Sequence, residues 1–154
     1  MKITVALLAD HPEFFDDLCL AYEREWPQWY GVRGGARSEL KERIRSEGLP
    51  IGLIALENSC VVGALAIAER GTLSHEHLSP WITGLWVAPL RRHRGIGAQL
   101  LNCACERARR MGATVLYAST NAASAFFVRL GWVRFDLGTT QGGDEVEIFS
   151  LALT

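Results

Sequence analysis

The chain has 154 residues, of which 49% are hydrophobic and 21% charged, and its formal net charge is −1 at pH 7. This length suits a single domain, residues 1–154, with a substantial hydrophobic core. The near-zero charge excludes a generic nucleic-acid or membrane-binding surface, and no apolar run is as long as a membrane span. Without a signal-peptide pattern, we expect a cytoplasmic protein with no nucleic-acid or membrane partner.

The cysteines and histidines do not indicate a metal site. The chain has four of each, with no C-x-x-C pair and no cluster with ligand spacing. We therefore expect no metal and predict buried, reduced thiols at Cys19, Cys60, Cys103 and Cys105.

The first third of the chain predicts one strand and two helices. Residues 2–9 are predicted to form a strand and residues 12–25, with a stripe of apolar side chains, a helix. Residues 37–47 predict a second, highly charged helix that buries only Leu40 and Ile44.

Between these helices, residues 26–35 read WPQWYGVRGG. The proline and three glycines predict a loop or an interrupted helix. Its aromatic side chains have two interpretations that can hold together. They cover an edge of the core, or they wall a substrate pocket. The substrate-binding candidates here are Trp26, Trp29 and Tyr30.

The rest of the chain alternates strands and helices. Residues 50–56 and 60–68 predict a hairpin, residues 72–80 a polar connection, and residues 81–87 a strand. After a glycine-rich turn follow a helix over 97–111, a strand over 114–118, a helix over 122–130 capped by Thr120 or Asn121, and strands over 132–135 and 146–153. This order predicts one α/β domain around a mixed sheet.

Residues 85–101, LWVAPLRRHRGIGAQLL, form a strand end, a basic glycine turn and a helix start. The first amides of a helix lack intrahelical acceptors and the helix dipole is positive there, so an anion is the expected ligand. Gly95 and Gly97 have no Cβ and let the backbone approach a phosphate closely. Arg91, Arg92 and Arg94 add positive charge. A diphosphate fits this turn.

The pattern Pro89, Arg92, Gly95, Gly97 resembles the P-x-x-R-x-x-G-x-G signature of the GNAT superfamily of acyl-CoA N-acyltransferases. A second pattern, Ala123-x-x-Phe126-Phe127-x-x-Leu130-Gly131-Trp132, is similar to the A-x-x-F-Y-x-x-L-G-F of the last GNAT helix. The resemblance implies a GNAT-like fold, with a central mixed sheet of six to seven strands flanked by about four helices.

The resemblance also implies acetyl-CoA as co-substrate and an amine acceptor, either a small molecule or a peptide. In the family, the strand before the turn holds pantetheine and the turn amides bind the CoA pyrophosphate. An asparagine after the next strand often lies against the CoA arm. The cofactor-binding residues implied here are Leu85, Trp86, Val87, Arg92, His93, Arg94, Gly95, Ile96, Gly97, Ala98 and Asn121.

The catalytic groups are less clear from the sequence. The family reaction is direct attack of a neutral amine on the thioester, with a backbone amide near Val87 as the oxyanion donor. In the family the base is a glutamate on this strand or a water relayed through nearby polar groups. The strand over 81–87 contains no carboxylate, so His77 and Glu76 in the preceding connection are the base candidates, against the alternative of a solvated loop. Tyr117, expected at a strand end, is a further polar candidate. Phe127 replaces the usual tyrosine acid and predicts core packing.

Two functions remain open at this point. The first is an N-acetyltransferase. The second is a GNAT-like module that binds acyl-CoA without chemistry and acts as a sensor or partner subunit, an alternative supported by Phe127 and the missing strand glutamate. An RNA-binding turn is disfavoured because no basic face or stacking platform surrounds it. The resemblance also allows a homodimer.

Overall fold

The computed structural model describes residues 2–153, which contain seven strands and five α-helices. The strands are β1 (Thr4–Leu7), β2 (Ile51–Glu57), β3 (Cys60–Ala68), β4 (Trp81–Val87), β5 (Val115–Thr120), β6 (Val133–Thr139) and β7 (Glu145–Ala152). The helices are α1 (Phe15–Glu25), α2 (Pro27–Tyr30), α3 (Arg37–Lys41), α4 (Ile96–Arg110) and α5 (Ser124–Arg129). In this range no helix is long and apolar enough to cross a membrane, and the cellular compartment stays a prediction.

The strands form one sheet in the order β1-β2-β3-β4-β5-β7-β6. The sheet is mixed: β4 and β5 run parallel, whereas β1 pairs antiparallel with β2 and β7 pairs antiparallel with both β5 and β6. The predicted α/β fold with six to seven strands is confirmed, with five helices rather than about four.

The chain divides into two compact units, residues 2–66 with 84–101 and residues 67–83 with 102–153. In the first unit, α1 and α3 bury their apolar side chains against strand residues. This core consists of Leu8, Leu18, Cys19, Tyr22, Ala36, Leu40, Ile54, Ala64 and Trp86. The apolar stripe predicted for the first helix therefore faces the core, as its spacing indicates. That a single domain comprises residues 1–154 stays a prediction.

The predicted hairpin is present and its turn has a clear local cause. Asn58 and Ser59 connect β2 to β3 with φ of 50° and 63°. Two successive residues in this conformation are typical of the two-residue type I′ turn, whose twist matches that of paired strands. Glu57, predicted as part of the turn, is instead the last residue of β2.

The predicted helix over residues 37–47 is wrong in its length, since α3 ends at Lys41. The Arg43 carbonyl accepts the amide of Gly52 at 3.0 Å, and the amides of Arg43 and Ile44 bond three residues back rather than four. A contact with the β2 segment thus replaces the continuing helix. The charged segment over residues 37–47 is also less exposed to solvent than predicted, because Arg43 is only 7% exposed.

The second unit packs α5 against β7 through aromatic rings. Phe127 is 4% exposed, stacks on Phe149 at a centroid distance of 5.5 Å and meets Trp132 edge-on at 5.3 Å. The prediction of core packing for Phe127 agrees with these contacts. The last strands differ from expectation in length, because β6 continues to Thr139 and shortens the polar loop after it.

The cysteine prediction is correct for two residues and wrong for one. All four thiols are free, Cys19 and Cys105 are buried and Cys103 is partly buried, but Cys60 is exposed. Cys60 is the first residue of β3, directly after the turn, where a strand still has solvent around it.

Candidate functional site

The glycine turn, defined here as residues 89–98, connects β4 to α4 in the first unit. Pro89–Arg91 form one turn of 3-10 helix, Arg92 is extended, and His93 and Gly95 have φ of 65° and 85°. The carbonyl of Gly95 accepts the amide of Gln99 at 3.0 Å, which makes Gly95 the residue that begins the helical bonding of α4.

The first amides of α4 have no acceptor within the helix. The N–H groups of Ile96, Gly97 and Ala98 lie in the first turn, where a helix offers no acceptor of its own. Within the described residues, no atom lies within 4 Å of the position that a Cβ on Gly95 would take. The turn therefore has open space beside a positive helix end, as an anion site requires.

Two arginines of the turn, Arg91 and Arg92, form hydrogen bonds and ion pairs within the protein that the sequence does not predict. Arg92 donates from Nε to the Val87 carbonyl at 2.9 Å and from Nη2 to Glu25 at 2.5 Å. Arg91 donates to the buried carboxylate of Glu57 at 2.7 Å. These contacts fix the turn to its own unit and neutralise part of its charge, while Arg92 remains exposed. His93 and Arg94 are exposed as well.

The strand residues before the turn, Leu85, Trp86 and Val87, differ in how far their side chains are buried. Trp86 is buried and its ring packs 6.3 Å from that of Tyr22, so its side chain belongs to the core. Leu85 and Val87 are half-buried. The amide of Ala88 donates to the Val62 carbonyl of β3 at 2.8 Å.

The aromatic segment after α1 contains one short helix, α2, rather than a plain loop. Trp29 is 49% exposed, whereas Trp26 packs edge-on against Tyr22 at a centroid distance of 5.1 Å. The hydroxyl of Tyr30 donates to the carboxylate of Glu39. Trp26 therefore covers the core, as one interpretation expects. Trp29 faces solvent, and the substrate-pocket interpretation stays a prediction.

The base candidates lie in the second unit, on the connection before β4. His75 Nε2 lies 2.8 Å from the Asp136 carboxylate and its Nδ1 lies 2.7 Å from the Ser74 hydroxyl. The hydrogen bond from His75 lowers the pKa of the Asp136 carboxyl. His77 is exposed and its ring stacks on His75 at 6.1 Å, and Glu76 is exposed beside them.

Two further predicted residues lie in or next to β5. Tyr117 is the third residue of the strand, half-buried between Trp81 at 5.5 Å and Phe135 at 5.9 Å, so its expected position at the strand end is wrong. Asn121 follows β5 and is exposed. Both cap candidates are wrong, because the N-cap of α5 is Ala123 and no side chain among the described residues caps the helix. The Thr120 hydroxyl instead accepts the amides of residues 122 and 123, before the helix, at 3.2 and 2.9 Å.

The sequence missed a polar cluster beneath β4. Arg43, Tyr22 and Glu39 come together in the first unit, next to Gly84, which has a φ of 61°. A signal was present, because an isolated glycine in an otherwise apolar strand marks a bulge or a close backbone approach. Nothing in the spacing of the charged segment distinguishes Arg43 from its solvated neighbours.

Comparisons with known proteins agree with this architecture. No curated protein matches the chain significantly. Among solved structures, an aminoglycoside 6′-N-acetyltransferase complexed with coenzyme A is 17% identical, with a TM-score of 0.80 over 100% of this chain and 98% of that one. The aminoglycoside 6′-N-acetyltransferase from Enterococcus faecium is 17% identical, with a TM-score of 0.78 and the same coverage.

A third similar structure is that of yncA from Salmonella typhimurium with its cofactor acetyl-CoA, which is 18% identical, with a TM-score of 0.66 over 99% of this chain and 94% of that one. At such low sequence identities, these TM-scores show a shared fold alone. The model of the acetyltransferase (GNAT) family matches residues 12–132, most of the chain and both signatures. The chain therefore belongs to the acetyltransferase (GNAT) family, whose members are enzymes that use acetyl-CoA.

Proposed function

We propose that this protein transfers an acetyl group from acetyl-CoA to a primary amine by direct attack within a ternary complex. The observation that carries the proposal is the glycine turn, with open space beside Gly95 and the start of α4 directly after it. Membership of the acetyltransferase family supplies the chemistry, since an acetyl thioester is the family's acyl donor.

For the cofactor, we assign the CoA diphosphate to the amides of Ile96, Gly97 and Ala98. The helix dipole and the amides stabilise the negative charge without side-chain movement. Arg92, His93 and Arg94 supply exposed polar groups at the same turn, and the bonds of Arg92 to Val87 and Glu25 fix its orientation. The backbone of Leu85, Trp86 and Val87 is assigned to the pantetheine arm, with Asn121 as a further cofactor contact.

In the transfer step, the amine nitrogen attacks the thioester carbonyl and an oxyanion forms before the CoA thiolate leaves. The Val87 amide is the proposed oxyanion donor. Successive amides of an extended strand point to opposite sides, and the Ala88 amide bonds Val62 of β3. The Val87 amide therefore points away from β3. Phe127 has no proton to give, so a thiolate, which is a good leaving group, departs unassisted or takes a proton from water.

We assign the general base to His77, with Glu76 as the second candidate. A histidine takes a proton readily near neutral pH. The support is the stacked contact with His75, whose ring is braced between Ser74 and Asp136. Because the His75 ring is held by Ser74 and Asp136, it limits the orientations of the exposed His77 ring that stacks on it. A fixed orientation favours His77 as a proton acceptor.

For the acceptor, we propose that the aromatic segment with Trp26, Trp29 and Tyr30 contacts a small-molecule or peptide amine, and Tyr117 is a further candidate. The exposed face of Trp29 is suited to a ring or a cation. Aminoglycosides are the first amines to test, because two similar structures are aminoglycoside 6′-N-acetyltransferases.

The test has two stages. Thermal unfolding is measured with and without acetyl-CoA, and release of the CoA thiol is then measured with aminoglycosides, polyamines and peptides. A ligand at 100 times its dissociation constant adds about 2.7 kcal/mol, a shift of about 5–10 °C for a chain of this size. No shift would contradict the proposal. A shift without turnover on any amine would instead support an acyl-CoA-binding module.

We also propose a homodimer formed through β6, which is one of the two edge strands of the sheet. Its residues Val133, Phe135 and Leu137 are exposed, and edge strands pair readily with another chain. Phe135 has no partner in the β6–β7 register, so the exposed apolar side chains, rather than a regular strand ladder, carry the proposed contact. Sedimentation of the wild type and of Phe135→Lys tests this: a dimer that the substitution dissociates is expected, and a wild-type monomer would contradict it.

A further inference from the structure

A buried polar cluster lies under the middle of β4 in the first unit. Its centre is Arg43, which is 7% exposed and lies 5.7 Å from the centroid of the Tyr22 ring. Arg43 Nη2 pairs with Glu39 at 3.5 Å, and Glu39 also accepts the Tyr30 hydroxyl. The Tyr22 hydroxyl donates to the backbone carbonyl of Gly84. We call these residues the arginine cluster.

The arginine cluster contacts Gly84, a residue of β4 with an unusual backbone conformation. Gly84 has a φ of 61°, which side-chain-bearing residues avoid. A Cβ at Gly84 would lie 2.9 Å from Arg43 Nη1 and 3.2 Å from the Tyr22 hydroxyl. The strand backbone therefore rests directly on the guanidinium and the phenol, and only glycine allows both the contact and the conformation.

A purely structural role explains this cluster poorly. The Arg43 guanidinium interacts with the Tyr22 hydroxyl and pairs with Glu39, yet among the described residues its buried Nη1 makes no hydrogen bond of good geometry. A buried donor without a partner is costly, and apolar side chains of similar volume often stabilise a core better than a buried ion pair does. Burial also raises the pKa of Tyr22 to about 12, which keeps its hydroxyl protonated as a donor to Gly84.

The conformation of Gly84 affects the three residues that follow it in β4. Leu85, Trp86 and Val87 follow Gly84 directly and are those assigned above to the acyl-pantetheine arm. A residue with positive φ inside a strand changes the direction of the amides that follow it. The bond from Tyr22 to the Gly84 carbonyl holds that change in place.

We propose that Tyr22 and Arg43 are positioning residues that hold Gly84 in its left-handed conformation and thereby set the direction of the Leu85–Val87 amides toward the acyl-pantetheine arm. This inference rests on the proposed function. It predicts that loss of the Tyr22 hydroxyl weakens contacts to pantetheine and leaves contacts to the diphosphate intact.

The experiment compares Tyr22→Phe with Thr140→Val in the full chain. Each substitution deletes one hydroxyl–backbone hydrogen bond, and Thr140 accepts the Asp144 amide in the loop between β6 and β7. Amide hydrogen exchange is followed without ligand, and dissociation constants are measured for acetyl-CoA and for ADP. ADP carries the diphosphate but lacks pantetheine and the 3′-phosphate of CoA, so the change in the ratio of the two constants from wild type to variant, rather than the ratio itself, reports the pantetheine contacts.

In Tyr22→Phe we expect exchange at residues 84–87 to rise about 3- to 10-fold, and acetyl-CoA to bind about 3- to 10-fold more weakly with ADP affinity unchanged, as for one lost hydrogen bond. Thr140→Val should change neither. An unchanged affinity ratio with wild-type binding intact would overturn this inference alone. Wild-type protein that binds neither ligand would overturn the proposed function as well.

If Tyr22→Phe does not fold, Arg43→Lys is compared in the same way, since lysine keeps a cation beside Glu39 without the guanidinium under Gly84. The same loss of acetyl-CoA affinity relative to ADP is expected. Equal losses for both ligands would indicate general loosening of the unit and would overturn the positioning role.

Discussion

Gly95 offers a direct test of the diphosphate site because its left-handed conformation and the open space beside it can be tested separately. It has a φ of 85° and, among the described residues, no atom lies within 4 Å of the position that a Cβ would take there. Gly95→Ala therefore introduces backbone strain and a methyl group in the space proposed for the diphosphate, without a clash inside the protein. The strain costs about 1–2 kcal/mol, which lowers Tm by about 2–8 °C.

The matched control lies at the other end of the same helix. Gly112 follows α4 with a φ of 89°, and no described atom lies within 4 Å of its Cβ position either. Gly112→Ala should therefore lose a similar amount of stability. Its unfolding temperature should still rise by about 5–10 °C with acetyl-CoA at 100 times the wild-type dissociation constant.

Gly95→Ala should lose most of that ligand-dependent shift, because the methyl group blocks close approach of phosphate oxygens to the turn amides. Differential scanning fluorimetry of the wild type and both variants, over a range of acetyl-CoA concentrations, measures the effect. If Gly95→Ala keeps the full shift, the diphosphate does not lie beside Gly95 and the assignment to the glycine turn is wrong.

Three further predictions concern the second unit. His77→Ala should lower the transfer rate at pH 7 by about 100-fold with acetyl-CoA affinity unchanged, and a wild-type pH–rate profile would exclude His77 as the base. Phe127→Tyr should lower Tm by about 2–12 °C, since a hydroxyl among packed rings loses its water, and a turnover gain without that loss would indicate a vacant acid position. The Asp136 carboxyl, whose pKa is lowered in the native state, stabilises the fold above about pH 4. This contribution is lost as pH falls through the native pKa, so Asp136→Asn should make the free energy of unfolding less dependent on pH in this range. An unchanged acid unfolding curve would show that the bond to His75 contributes nothing.

The sequence predicts the region around the glycine turn well because its signals are local. A proline after an apolar strand, two glycines and apolar residues at helical spacing identify β4, the turn and the start of α4 within one residue. The Asn58–Ser59 turn is a local signal of the same kind. These features depend on the conformations that single residues allow, so neighbouring sequence suffices to find them.

Tertiary contacts explain the failures. The charged helix ends early because Gly52, in the strand that follows, bonds the Arg43 carbonyl. The partners of Arg43 and Tyr22 meet only when α1, α3 and β4 are assembled in the first unit. The same holds for the pairing of His75 with Asp136, whose residues lie 61 positions apart. Composition and periodicity carry no information on such pairs.

The uneven exposure of the cysteines has a practical consequence for any assay that counts free thiols. Burial raises the pKa of Cys19 to about 11 and also raises the pKa of Cys103 and Cys105, so these thiols are poor nucleophiles at neutral pH. Cys60 is exposed at the start of β3. A disulfide reagent used to detect released coenzyme A should therefore report a background of one protein thiol per chain, and a fluorophore directed at thiols should label the protein at one defined position.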